Sequence, residues 1–138
     1  MATAPDTHTI WYAKAQSLEH LGRADDAIEA YEKAIEASPE YDAAHFAKGA
    51  ALAKKGRDAE AVASFRRAVE IDPNYEDAWV EMGSAQSRMG AHMDAVASYN
   101  QALKLNADLP AALDAKCTAL MNAGKPDAAL PCFEAAIK

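Results

Sequence analysis

Residues 22–40 read GRADDAIEAYEKAIEASPE, and residues 56–74 read GRDAEAVASFRRAVEIDPN. The two stretches have the same length and the same hydrophobic frame, although few of their charged residues agree. The frame returns further along the chain, so that four glycines stand 34 residues apart: Gly22, Gly56, Gly90 and Gly124. Internal repetition of this period decides the fold before any shorter motif is considered.

Three more columns of residues keep the same spacing. One column is aromatic and two consist of alanine, and their members are Tyr31, Phe65, Tyr99 and Phe133; Ala27, Ala61, Ala95 and Ala129; and Ala34, Ala68, Ala102 and Ala136. Chance does not hold several columns in register over four copies. The chain is therefore predicted to be an array of four similar units.

Each copy divides into two helical stretches, as the second copy shows. Residues 42–54 are predicted to form a helix that ends before Gly56, because glycine tolerates the positive φ found just past a helix end. Residues 58–71 are predicted to form the next helix, with Asp58 as its cap. Asp72-Pro73 stops that helix, since a residue before proline is disfavoured in the helical region. Connections this short make the paired helices antiparallel.

This pattern resembles the tetratricopeptide repeat (TPR) family, whose unit of 34 residues carries Trp, Leu, Gly, Tyr, Gly, Ala, an aromatic residue, Ala and Pro at fixed places. The third copy is the most similar, with Trp79, Met82, Gly83, Gly90, Ala95, Tyr99 and Ala102. The resemblance covers residues 8–138 and implies an all-α fold, a right-handed α-solenoid of antiparallel helix pairs. The expected repeats are 8–41, 42–75, 76–109 and a truncated 110–138, in a single array over residues 1–138.

Small residues at the eighth position of each repeat, counted from residues 8, 42, 76 and 110, have a packing role. Ala15, Gly49, Gly83 and Cys117 are predicted to let the two helices of a repeat approach closely, with the aromatic column filling the space beside them. The seventh position departs from the family pattern, because it holds Lys14, Lys48, Met82 and Lys116 instead of leucine. These lysines are interpreted as tolerated packing with their ammonium groups in water; the alternative is a charged functional row.

Pro131 is expected to disturb the last helix. If Pro126 is the first helical residue, Pro131 is the sixth, and its missing N–H would have bonded the carbonyl of Asp127. We therefore expect the helix to be kinked or loosely formed between Asp127 and Cys132.

Composition excludes several classes of protein. The formal net charge is −7 and no basic stripe is present, which argues against binding to duplex nucleic acid. No apolar run approaches the roughly 20 residues that span a bilayer, and the start of the chain, MATAPDTHTI, does not have the features of a signal peptide. Cys117 and Cys132 are interpreted as buried thiols in a reducing cytosol, with a disulfide or a metal site as the alternatives. A cytoplasmic location follows from this interpretation.

No constellation of residues indicates catalysis. His8, His20, His45 and His92 occupy different repeat positions and match neither ligand nor triad spacing. The glycines are isolated, so that no loop is expected to cradle a phosphate. We therefore expect neither an enzyme nor a cofactor or metal site.

The remaining candidate for function is the surface formed by positions two, five, nine and twelve of the first helix of each repeat. We call this surface the first-helix face; position six contributes Glu81 at its border. In a stacked array it lines a continuous concave side, where the resemblance implies that peptide segments of other proteins bind. The candidate binding residues are Tyr12, Gln16, Phe46, Ala50, Asp77, Val80, Glu81, Ser84, Asp114 and Thr118. Alternatively, Tyr12 and Phe46 merely pack on neighbouring helices.

A subclass of the family binds acidic chaperone tails with a clamp of lysine, arginine and asparagine. In this chain the clamp positions hold Tyr12, Gln16, Ala47, Asp77 and Glu81. Two expected cations are thus carboxylates, which would repel an acidic tail. We therefore expect the clamp to be absent and the partner to be a neutral or basic, apolar peptide.

The sequence thus predicts an adaptor for protein–protein interaction. One alternative is a self-association or spacer module cut from a larger TPR-containing protein, and a remote one is an accessory domain of an enzyme. Self-association is expected through the fourth repeat, where Leu120, Leu130 and Ile137 are candidates for an uncovered apolar surface. The first repeat is expected to be screened by the polar segment 3–9.

Overall fold

A computed structural model describes residues 6–138 of the protein, and within this range all regular structure is helical. The helices are α1 (Thr7–His20), α2 (Ala24–Ala37), α3 (Asp42–Lys54), α4 (Asp58–Ile71), α5 (Glu76–Arg88), α6 (His92–Leu105), α7 (Pro110–Asn122) and α8 (Pro126–Ile137). The predicted all-α solenoid of helix pairs is confirmed. The helices expected at 42–54 and 58–71 are α3 and α4.

The chain divides into two compact units after Pro73. In the first unit, α1 packs against α2, α2 against α3, and α3 against α4. In the second unit, α5 packs against α6, α6 against α7, and α7 against α8, while α5 also contacts α7. The division falls at the boundary between the second and third repeats. A single array that crosses this boundary stays a prediction.

The four repeated glycines end the first helix of each pair in the same way. Each has a positive φ, between 76° for Gly22 and 80° for Gly90. In the second repeat, the N–H of Gly56 donates to the carbonyl of Ala53 and the N–H of Arg57 donates to that of Leu52, both over 3.0 Å. This is the Schellman pattern, which satisfies carbonyls that would otherwise lack a donor. The glycine column therefore sets the tight turn that makes each pair antiparallel.

The cap expected at Asp58 is not formed. Arg57 occupies the N-cap position of α4 without a side-chain capping hydrogen bond, and Asp58 is the first helical residue. A carboxylate in the first turn is still favourable, because the N-terminal end of a helix carries partial positive charge.

The core of each repeat is built on the small residue at position eight and the aromatic ring of the second helix. Gly49 and Phe65 are both buried, and a Cβ atom added to Gly49 would lie 2.8 Å from the Phe65 ring. Gly83 and Tyr99 show the same relation, with a Cβ atom 2.8 Å from the ring. In these two repeats the glycine is therefore required by the close approach of the ring to the facing helix.

The preferred interpretation of the cysteines as two free thiols is wrong, because Cys117 and Cys132 form a disulfide. Their Cα atoms lie 5.5 Å apart and join α7 to α8 across 15 residues. Cys117 occupies position eight and Cys132 position 23, counted along the repeat. Small residues hold the same two positions in the other copies: Ala15 and Ala30, Gly49 and Ser64, and Gly83 and Ser98. The cysteine pair thus replaces a pair of small residues, one on each helix of the repeat.

The final helix agrees only in part with the expectation. Helical conformation continues through Pro131 to Ile137, so the segment is not loosely formed, whereas a kink at Pro131 stays a prediction. Proline removes one backbone hydrogen bond early in the helix. Buried Ala129 and the disulfide at Cys132 hold the same segment against α7.

Substituting Gly49 with alanine tests the contact between ring and small residue. We expect Gly49→Ala to lower the free energy of unfolding by about 1–3 kcal/mol, because the added methyl group overpacks the Phe65 ring. The same change on an open helix surface would raise stability by up to about 1 kcal/mol. Urea unfolding measures the effect, and in a Phe65→Leu background the loss should shrink. An equal loss in both backgrounds would contradict a clash with the ring.

Reduction of the disulfide should destabilise the second unit. A closed loop of 15 residues is worth about 3 kcal/mol of unfolding free energy, so we expect dithiothreitol to lower the melting temperature. Cys132→Ser installs the residue found at Ser64 and Ser98, which makes it a conservative control. This variant should melt at one temperature with and without reductant. A wild-type melting temperature that ignores reductant would contradict the bond.

Candidate functional site

None of the ten candidate binding residues is buried. Those that are largely exposed are Gln16, Asp77, Asp114 and Thr118, and those that are half-buried are Tyr12, Phe46, Ala50, Val80, Glu81 and Ser84. All lie on the first helix of a pair, at the repeat positions from which they were predicted. They are thus accessible within their own units, although their role in binding stays a prediction.

Tyr12 of α1 is both a packing residue and a surface residue. Its ring centroid lies 5.6 Å from that of Tyr31 on α2 and 5.3 Å from that of Tyr41, which precedes α3. Partial burial raises the pKa of the Tyr12 hydroxyl, and the neighbouring Tyr41 and Glu19 raise it further. The ring is therefore held in place by two others while part of it stays exposed.

Phe46 of α3 has a similar setting. Its ring centroid lies 5.6 Å from that of buried Phe65, with the two planes tilted by 50°. Aromatic pairs at this distance are attractive beyond the area they bury. Tyr12 and Phe46 therefore pack on neighbouring residues, as the alternative expects, and are also partly exposed. Their packing alone does not show whether they bind a peptide.

The hydroxyl groups of the aromatic column reach the same side of the helix pairs. In the first repeat, the Tyr31 hydroxyl donates a hydrogen bond to the Glu19 carboxylate. Burial raises the pKa of Tyr31, and the bond to Glu19 raises it further. In the third repeat, the Tyr99 hydroxyl lies 3.2 Å from Ser84 Oγ. The first-helix face thus contains polar groups that are already partnered by the core aromatic residues.

Sequence reasoning missed this relation, although a signal was present. The tyrosines of the column meet Glu19 and Ser84 at positions twelve and nine. Phe65 and Phe133, which lack a hydroxyl, belong to repeats that carry alanine or methionine at position twelve: Ala53 and Met121. A buried hydroxyl needs a partner, so each tyrosine of the column could have indicated that a polar residue of the first-helix face is engaged in structure, but not which one.

In the second unit the first-helix face is acidic. Asp77 and Asp114 are exposed on α5 and α7, helices that contact one another, and Glu81 is half-buried on α5. Val80 packs partly against the core of this unit. Ser84 Oγ donates to the Val80 carbonyl over 3.2 Å, which ties the serine to its own helix.

The lysines at position seven behave as packing residues with solvated ends. Lys14 places its Nζ 4.8 Å from the centre of the Trp11 ring, a favourable cation–π contact. Lys48 is half-buried, and its Nζ lies 3.8 Å from Glu32 Oε2. The interpretation as tolerated packing therefore agrees with the contacts of these two residues.

Two other kinds of site have no counterpart among residues 6–138. No group of three or more histidine, cysteine, aspartate or glutamate side chains in this range is arranged to hold a metal ion. Nor does the described part of the chain contain a helix long and apolar enough to cross a membrane.

Comparison with known families identifies the class of protein. One sequence model of the tetratricopeptide repeat family matches residues 2–42 and 12–76. A second model of the same family matches residues 76–109. The chain belongs to the tetratricopeptide repeat family. No match was found among curated proteins.

Solved structures share the fold at low sequence identity. A structure of MamA is 22% identical with a TM-score of 0.89, covering 96% of this chain and 73% of MamA. YrrB, described as a TPR protein with an unusual peptide-binding site, is 20% identical with a TM-score of 0.85 over 96% of this chain and 68% of its own. The first TPR of Spaghetti (RPAP3), bound to the HSP90 peptide SRMEEVD, is 19% identical with a TM-score of 0.82, covering 88% and 97%. Identities this low establish the fold alone.

Alkaline unfolding tests the burial of Tyr31. Because folding raises the pKa of this phenol above its ordinary value of 10.0, its contribution to stability is fully present below about pH 10 and is lost as the pH rises further. We expect wild-type stability to fall more steeply above about pH 10 than that of Tyr31→Phe. The difference should approach about 1.4 kcal/mol per pH unit. Urea titrations at several alkaline pH values measure it, and identical slopes would contradict the assignment.

Proposed function

We propose that the protein is a non-enzymatic scaffold that binds a peptide segment of a partner protein on its first-helix face. The observation that carries the proposal is the pair of half-exposed rings, Tyr12 and Phe46, each fixed against a core aromatic residue. Rigid aromatic side chains provide contact area at a low cost in conformational entropy. Peptide binding by YrrB and by the first TPR of Spaghetti supports the same role for this chain.

The proposed partner is apolar with a neutral or basic flank. Asp77, Glu81 and Asp114 make the face of the second unit negative, and an acidic flank would be repelled. The clamp used by a subclass of the family for acidic tails is not carried over, since Asp77 and Glu81 stand at two of its cation positions. The proposal therefore differs from recognition of an acidic chaperone tail.

A cytoplasmic location stays a prediction. It rested partly on free thiols, and the disulfide between Cys117 and Cys132 removes that support. Disulfides persist mainly in oxidising compartments. Fractionation of cells with detection of the oxidised and reduced forms would decide the location.

The alternative role, self-association or a spacer function in a larger protein, is favoured by a different observation. Leu130 and Ile137 of α8 are 63% and 84% exposed. Apolar side chains this exposed on a helix of a repeat protein are typical of a surface that another element covers. Peptide binding and self-association use different surfaces, and they are tested separately.

Substituting the aromatic residues tests the peptide-binding proposal. We expect Phe46→Ala and Tyr12→Ala each to weaken binding of a selected apolar peptide by about 1–3 kcal/mol, because a central aromatic anchor is lost. Titration calorimetry measures affinity, and NMR shift mapping should show changes at Tyr12, Phe46 and Ser84. Met93→Ala, which shortens an exposed side chain on α6, is the matched control. Affinity unchanged in both aromatic variants would place the site elsewhere.

Peptide charge provides a second test. A peptide with an apolar centre and lysine flanks should bind more tightly than the same centre flanked by glutamate, and the preference should shrink in Asp77→Asn/Asp114→Asn. Raising the salt concentration should also reduce it, because exposed charges are screened. Equal affinity for the two peptides would contradict the charge component, even if the aromatic residues matter.

A further inference from the structure

The outer surface of the fourth repeat exposes residues whose counterparts elsewhere are buried. Leu130 is 63% exposed, whereas Ile28 and Val96 at the same position of the first and third repeats are 6% exposed. We call the surface formed by Leu130, Phe133 and Ile137 the tail face. Leu120, also expected there, is instead buried in the core of the second unit. An open depression of about 600 Å³, lined mainly by apolar groups, occupies this face.

The contacts inside each unit show what covers such a surface. In the second unit, Ala112, Ala115 and Ala119 of α7 pack into the same core cluster as Val96 and Tyr99 of the third repeat. They stand at positions three, six and ten of the first helix. In the first unit, Ala47 at position six packs against the core of the first repeat in the same way. Small residues on the following first helix therefore cover the first and third repeats.

The first repeat exposes the same three positions. Positions three, six and ten of α1 are Ile10, Ala13 and Ser17, and we call this row, with Lys14 beside it, the head face. Ile10 is 54% exposed, and Ala13 and Ser17 are exposed as well. The polar segment expected to screen this face lies partly outside the described residues. Its described end, from Thr7 onward, is helical and belongs to α1.

Ion pairs mark the orientation of the junction between the first two repeats. Glu32 Oε2 lies 3.8 Å from Lys48 Nζ, Asp25 Oδ1 lies 2.7 Å from Lys55 Nζ, and Glu40 Oε1 lies 2.8 Å from Arg67 Nη2. In all three pairs the acid belongs to the preceding repeat and the base to the following one. The charges at this junction are therefore directional.

The two end faces carry charges of the same pattern. Glu134 stands three repeats after Glu32, and Lys14 stands one repeat before Lys48. Both are exposed, and Glu134 forms no ion pair among residues 6–138. Asp127 likewise repeats Asp25, although Leu21 replaces the lysine that would face it. The acid thus lies on the tail face and the base on the head face, as at the internal junction.

We propose that the occupant of the tail face is the head face of a second copy of this chain. In this contact Ile10, Ala13 and Ser17 cover Leu130 and its neighbours, and Lys14 of one copy pairs with Glu134 of the other. The contact joins unlike surfaces, so each added copy presents a new tail face. Association is therefore not limited to two copies, and it requires no part of the peptide-binding proposal.

Sedimentation velocity over a concentration series tests the contact. The average mass of the wild-type chain should rise above 14.7 kDa as concentration increases. Glu134→Lys and Lys14→Glu should each weaken association about tenfold, because an attractive pair becomes a repulsive one. An equimolar mixture of the two variants should associate again, since every junction in the mixture can join a lysine to a glutamate. A loss of folding could not produce this recovery.

Controls separate the tail face from general stickiness. Leu130→Glu should abolish association, whereas Met93→Glu, at a 47% exposed residue of α6, should not. Asp94→Lys, a charge reversal away from both end faces, should also leave it unchanged. A wild-type chain that stays at 14.7 kDa at every concentration would overturn the proposal, as would two charge variants that fail to recover on mixing. Phe46→Ala should associate normally, so that loss of association in this variant would assign the contact to the first-helix face instead.

Discussion

The fold of each repeat depends on the contact between one aromatic ring and the small residue that faces it on the paired helix. Phe65 and Tyr99 lie so close to Gly49 and Gly83 that no Cβ atom fits between them. This distance fixes how closely the two helices approach. It also fixes the outward direction of the remaining positions of the first helix. Packed interiors do not deform continuously, so the exposed faces are set by a contact that lies entirely in the core.

Much of this fold could be predicted because its signals are periodic and local. A glycine with positive φ ends each first helix, and four copies in register place the boundaries of α3 and α4 at the expected residues. The cysteines were interpreted from composition instead, and that interpretation was wrong. Cys117 and Cys132 occupy two positions that hold small residues in the other repeats, such as Gly49 and Ser64, a signal that composition does not show. Pro131 was judged by the hydrogen bond it removes, whereas Ala129 and the disulfide hold its helix against α7.

The candidate site could be predicted only as a set of positions. The 34-residue period of the sequence predicts that Tyr12 and Phe46 lie on the first-helix face, and both rings are half-exposed in the structure. A position at the edge of a packed stripe contacts the core and solvent together, so the pattern alone cannot separate an anchor from a packing residue. Glu19 and Ser84 show the same difficulty, because they lie on the face yet bond to core tyrosines. Binding groups on a repeat scaffold are not required by the fold, which is why the partner needs a direct test.

For the head and tail faces, unlike the first-helix face, the chain itself contains an equivalent contact, which is the junction between the first two repeats. The junction between the first two repeats places acids on one side and bases on the other, and Glu134 and Lys14 occupy equivalent positions at the two ends. Apolar burial is not directional, so Leu130 and Ile137 alone would equally favour a contact between two tail faces. Such a contact would bring Glu134 toward a second Glu134 and Asp127 toward a second Asp127. Repulsion between like charges disfavours that arrangement, so the carboxylates select the head-to-tail direction while the apolar residues supply most of the attraction.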